Sequence, residues 1–179
     1  MLLACNQENQ HSVATSSLKI GFQENGVLNA LIDIQHNRNY VFQDSENALM
    51  AIQVAGRLEY PASMSYDEVA KTYQLTYAEN KITARIKEYI NDRYLSFELI
   101  ELSEMEAVEL VLWGPFKTAI KETIGETIGV VRNQEFAIGI QALNPRTLGG
   151  TPSSDDSTPS YNIFGTTSLV DVSDSLNIL

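Results

Sequence analysis

The chain has 179 residues, 44% of them hydrophobic and 20% charged. That length suits one domain able to bury roughly 70% of the surface its unfolded chain exposes, so disorder is not expected. Twelve basic residues stand against 23 acidic ones, a net charge of -11 that would repel a phosphate backbone, and nucleic acid is excluded as a partner. The single cysteine rules out an intrachain disulfide, and no run approaches the ~20 apolar residues of a membrane span.

Residues 1–16 read as a leader and tether. Leu2-Leu3-Ala4-Cys5 has the form of a bacterial lipobox, in which small and apolar residues precede a cysteine that is lipidated after cleavage. Only four residues precede Cys5, fewer than the roughly 7–15 apolar residues of an export signal, so either the start lies upstream or the match is incidental. The polar stretch from Asn6 to Ser17, which includes His11, lacks apolar periodicity and suits a tether between an anchor and a domain. Lipidation of Cys5 would place the protein outside the cytoplasm, on a membrane through its anchor alone.

Residues 17–150 read as strands. Leu18–Phe22 alternates apolar and polar residues, Asn25-Gly26 supplies a turn, and Val27–Ile34 resumes the alternation, which predicts a hairpin with positive φ in its turn. A turn over Gln35–Asn39 with His36, a short strand at Tyr40–Phe42 and another at Leu49–Val54 follow, while Ser63–Glu68 reads as loop or one short turn. Tyr73, Leu75 and Tyr77 share one face, as do Ile82, Ala84 and Ile86, and then Leu95, Phe97 and Leu99, which predicts a three-stranded antiparallel meander. Ser103–Val108 is too short for a stable helix and reads as a connection. The runs VELVLW, TAIKETI, TIGVVR and EFAIGIQAL, from Val108 to Leu143, add four more strands. About ten strands at these spacings predict an all-β, two-sheet antiparallel β-sandwich, with its completeness at the C-terminus left open. Residues 151–179 open with TPSSDDSTPS and read as linker leading into the start of a further region of a longer protein.

Candidate sites are few. Trp113-Gly-Pro-Phe116 could offer aromatic faces to a sugar ring, against a preferred alternative in which Trp113 and Phe116 pack into the core. Glu122 and Glu126, in the tandem ETIG-ETIG, could form the carboxylate pair of a glycosidase, which needs the two groups ~5–10 Å apart. Four residues of extended strand span roughly 13 Å, so a solvated face or ion pairs with Lys117, Lys121 or Arg132 is preferred. Asp155-Asp156 would be a place for calcium, although two adjacent acids lack the spacing of a calcium loop and no cofactor is expected. One cysteine and two histidines leave no Ser-His-Asp, Cys-His or His-rich metal set.

The unit LKIGFQENGVLNALIDIQHNRNYVF, the meander, and WGPFKTAIKETIGETIGVVRNQEFAIGIQALNPRTLGG together resemble the N-terminal galactose-mutarotase-like supersandwich domain of large bacterial surface glycoside hydrolases, over residues 17–150. The resemblance implies a non-catalytic domain that packs beside a C-terminal catalytic domain or helps it hold a glycan, in an exported, membrane-anchored enzyme. Mutarotases of this fold use two histidines and a glutamate, yet His11 falls in the tether and His36 in a turn, so mutarotation is not expected. The rival readings are a stand-alone carbohydrate-binding lipoprotein and a structural or adhesive surface lipoprotein.

Overall fold

The computed structural model describes residues 11–42, 47–114, 116–124, 129–144, 147–149 and 168–171. The protein is all-β, and every strand pair among the described residues is antiparallel. The one helical turn among them, at Met105–Ala107, lies where the sequence predicts a connection. No helix among the described residues is long and apolar enough to cross a membrane.

The first sheet runs in order through β1 (His11–Ala14), β2 (Leu18–Phe22), β3 (Leu28–Asp33) and β4 (Arg38–Asn39). The β2–β3 hairpin is the predicted one, but its turn differs in detail. Only Gly26 takes positive φ, at 76°, while Asn25 acts through its side chain, whose Oδ1 accepts the Val27 amide at 3.2 Å. Glycine is required at 26 for a second reason, since a Cβ there would lie 3.1 Å from Pro61 Cγ and 3.4 Å from Leu75 Cδ2. In place of the strand expected at Tyr40–Phe42 stands β4, which begins two residues earlier. Asn39 Oδ1 accepts the amides of both Leu31 and Val41, which ends the ladder and leaves Val41 only a single bridge, to Thr118.

The second sheet is the meander. It joins β7 (Ser63–Asp67), β8 (Thr72–Tyr77), β9 (Ile82–Ile90) and β10 (Leu95–Leu102) in the order β10-β9-β8-β7. Its three predicted strands are present, and β7 replaces the loop expected over 63–68. Met64 and Tyr66 turn inward while Ser63, Ser65 and Asp67 face out, so two apolar residues among serines carried too weak an alternation to read as a strand.

The third sheet has the order β15-β16-β11-β5-β6, from β5 (Met50–Val54), β6 (Arg57–Glu59), β11 (Leu110–Trp113), β15 (Thr147–Gly149) and β16 (Ser168–Asp171). β16 lies beyond the linker-like TPSSDDSTPS, and residues 168–171 pair along the whole of β11, from Leu110↔Asp171 to Trp113↔Ser168. With β5 on its other edge, β11 is an interior strand, which suits the unbroken apolar run LVLW. A small sheet of β12 (Thr123–Ile124), β13 (Gly129–Arg132) and β14 (Ala137–Ile140) completes the described strands. Its β13–β14 turn docks through Phe136, stacked on Tyr40 at 5.2 Å, and through Asn133 Nδ2, which donates to the Tyr40 hydroxyl at 3.0 Å.

β1 is a further correction. His11–Ala14 was expected inside the tether, yet it pairs with β2 from His11↔Phe22 to Ala14↔Lys19 and buries Val13. One aliphatic side chain in four residues gives hydropathy almost nothing to detect.

A single core joins these sheets. Phe22, Leu28 and Leu31 meet Tyr73, Leu75, Tyr77, Ile82 and Ile86, and these meet Met50, Ile52, Val111 and Trp113. Each such side chain contributes about 1.5–3 kcal/mol on burial. Asn47, fully buried, ties the segment after β4 to the segment after β11: its Nδ2 donates to the Phe42 and Lys117 carbonyls and its Oδ1 accepts the Lys117 amide at 3.0 Å. We predict that Asn47→Ala destabilises the protein by about 2–4 kcal/mol in urea unfolding, because a buried amide and two carbonyls lose partners at once. A loss within experimental error would show that the two segments are held by packing alone.

Candidate functional site

The densest gathering of titratable side chains among the described residues lies at the end of the inner face of β9. The row Ile82, Ala84, Ile86 is apolar and buried, and the next inward position is Glu88, also buried. A carboxylate there would be costly without partners, and it has two. Tyr66 from β7 donates its hydroxyl to Oε1, and Tyr73 from β8 donates to Oε2 at 2.5 Å. The strand register brings the donors together, since Tyr66 pairs directly with Tyr73.

His11 of β1 covers the cluster. Its ring stacks on Tyr66 with centroids 3.6 Å apart and meets Tyr73 edge-on at 5.1 Å. Nε2 stands 4.0 Å from Glu88 Oε2, too far for a hydrogen bond, and is buried with no hydrogen-bond partner among the described residues. Phe22 and Phe97 approach Tyr73 edge-on at 5.8 and 6.0 Å, so the box is aromatic on most sides.

Electrostatics follow from this enclosure. Burial, then the hydrogen bond to Glu88, pushes both the Tyr66 and Tyr73 hydroxyls well above the ordinary phenol range. Burial pulls the His11 imidazole below its ordinary value of 6.5, outweighing the nearby Glu88 and Glu68 that favour its charged form. The phenols keep their protons and each donates to one Glu88 oxygen, so β7 and β8 are tied to β9, with His11 of β1 stacked over them.

Elsewhere, acidic side chains close turns. Glu59 accepts the Glu79 amide and the Asn80 side chain, each at 2.7 Å, across the gap from β6 to the β8–β9 turn. Asp33 binds His36 Nδ1 at 2.5 Å and the Gln35 amide at 2.9 Å. Burial raises the Asp33 carboxyl, but its hydrogen bonds with His36 bring it below its usual value. His36 is therefore a turn residue, as its position in the sequence implies.

The residues singled out from the sequence do not converge. Trp113 is only 4% exposed, inside the core beside Met50, and its indole N–H has no partner among the described residues. Phe116 is half-buried against the same core, its ring packed close to Gly114, which turns the chain at φ 86°. Glu122 is exposed, and its carboxylate accepts the Lys121 amide at 2.9 Å. Glu126, Cys5, Asp155 and Asp156 lie outside the described residues. No three His, Cys, Asp or Glu side chains gather as a metal-binding group among the described residues.

Sequence reasoning missed the Glu88 cluster, although one signal was available: Glu88 continues the inward period of Ile82, Ala84 and Ile86, and an acid on an inner face demands donors. The match of Tyr66 and His11 to that demand is made by pairing in space. Comparison of the chain with protein-family models, with curated proteins and with solved structures gives no match.

We predict that Glu88→Ala, which leaves two enclosed hydroxyls without an acceptor, costs about 3 kcal/mol or more, and Tyr73→Phe about 1–2 kcal/mol. Urea unfolding of both variants checks the ranking. Equal costs would mean that the carboxylate contributes no more than one hydrogen bond.

Proposed function

We propose that the chain is a non-catalytic, two-sheet β-sandwich module of the galactose-mutarotase-like kind, which serves an exported carbohydrate-active protein as a packing and presenting scaffold. The observation that carries this reading is the burial of Trp113. An indole held in the core has no free face for a sugar, whereas it contributes fully to a rigid scaffold. The closed hydrogen bonding of Glu88 with Tyr66 and Tyr73 points the same way, toward stability over chemistry. In this reading Cys5 carries the lipid anchor, a glycan is the substrate of the larger assembly, and a C-terminal catalytic domain packs on the scaffold.

One observation favours a second reading, a stand-alone carbohydrate-binding lipoprotein whose glycan lies on the meander and not at Trp113. The outer face of β7–β10 holds a depression of about 580 Å³ lined by Ser65, Asp67, Thr72, Gln74, Arg85 and Lys87. Tyr66, Ala70 and Ile100 also line it, so the surface is mixed, and its polar side chains can exchange hydrogen bonds with hydroxyl groups.

Oligosaccharide titration followed by Trp113 fluorescence and by calorimetry separates the two. The scaffold reading predicts blue-shifted emission that does not respond to any sugar, and no heat of binding by this chain alone. Saturable heat abolished by the double variant Gln74→Ala/Lys87→Ala, with Trp113 emission unchanged, would replace it with the second reading. Quenching of Trp113 by a sugar would overturn both.

A further inference from the structure

β1 is the least secured strand around the Glu88 cluster. It lies at the edge of its sheet, with β2 as its one partner, and it is four residues long. Ser12 and Ala14 are exposed, which leaves His11 and Val13 as the side chains that dock it. The residues just after it are held separately, where the Ser16 amide and hydroxyl both donate to the Asp92 carbonyl.

The receptacle for His11 suits a neutral imidazole. Tyr66 stacks on one face, Tyr73 meets the edge, and Nε2 faces Glu88 across 4.0 Å without a hydrogen bond. Both carboxylate oxygens are already engaged by the tyrosine hydroxyls. A proton added at Nε2 would be cut off from solvent, with its nearest acceptor, Glu88 Oε2, at 4.0 Å and beyond hydrogen-bond reach in the docked position. We propose that β1 is a pH-sensitive strap, docked while His11 is neutral and released from the Tyr66–Tyr73–Glu88 receptacle when the imidazole is protonated.

The charged and titratable groups facing His11 are Glu88 from β9, Tyr66 and Tyr73 from β7 and β8, and Glu68 and Lys71 from the turn between those strands. Glu88 and Glu68 favour the imidazolium, Lys71 opposes it, and burial opposes it most, so the docked imidazole holds its proton less tightly than a free one. Docking is thus strongest above the free value of 6.5. It weakens as pH falls from there to the lower value of the docked ring, and is constant below that. Acid would release this strand while the core stays folded.

Amide hydrogen exchange on the full chain, corrected for intrinsic rates, tests the strap. Protection of the β1 amides, measured relative to those of β8 and β9, should fall on the order of tenfold between about pH 7.5 and pH 5. His11→Phe, which keeps an aromatic ring in the receptacle and cannot be protonated, should hold its β1 protection constant across that range. A constant ratio in the native chain, or the same acid loss in His11→Phe, would overturn the proposal. Should His11→Phe leave β1 unprotected even at neutral pH, the NMR titration of His11 in the native chain decides. A midpoint below 6.5 supports the strap, and a midpoint at or above it overturns it.

Discussion

The structure depends on one contact zone, where the inner face of the meander meets the third sheet. Tyr77 is fully buried there, and its hydroxyl donates to the Met50 carbonyl at 3.0 Å. A large ring packed among aliphatic side chains and a polar tip tied to a backbone acceptor together set how the sheets meet, since sliding either one would strand the hydroxyl. Burial raises the Tyr77 phenol well above its ordinary value, which keeps it a donor at any physiological pH. Ile52, Val111, Leu75 and Ile86 then fill the space around it.

Polar side chains at the rim of this core select one arrangement among the many that an apolar interior would tolerate. Asn47 joins the segments that follow β4 and β11, Glu59 joins β6 to the β8–β9 turn, and Glu88 joins three strands of two sheets through its phenol donors and the overlying His11. Each occupies a buried position where an unsatisfied group would cost about 1–3 kcal/mol, and each has its partners. Like His11 Nε2 and Thr147 Oγ1, the enclosed N–H of Trp113 is unpaired among the described residues. Its large apolar surface explains why the site is still occupied by an indole.

This distribution bears on function. The aromatic residue best suited to a sugar platform is spent on the core, and the buried Glu88 carboxylate is held by two phenols. The accessible chemistry lies on the outer meander face, where Arg85 pairs with Glu101 beside Gln74 and Lys87.

How much was legible depended on whether a signal was local. The meander was readable because Tyr73, Leu75 and Tyr77, then Ile82, Ala84 and Ile86, repeat every second residue, and a period-two stripe can bury a face in only one way. Gly26 was readable as a turn residue for an equally local reason, its freedom to take positive φ. β1 and β7 were not, because strands of four or five residues with one or two apolar members owe their form to a neighbour's open edge. The candidate site divides in the same way. Glu88 was missed although it stands in an apolar row, and sequence held no sign that residues 66 and 73 would come into register over it, or that His11 would stack on top. By itself, then, the sequence determined an antiparallel all-β chain with a central meander and an acidic, histidine-poor composition. Tertiary structure alone decided that Trp113 faces the core and that His11 leaves the tether for the Glu88 cluster, because burial and hydrogen-bond partners are properties of neighbours distant in the chain.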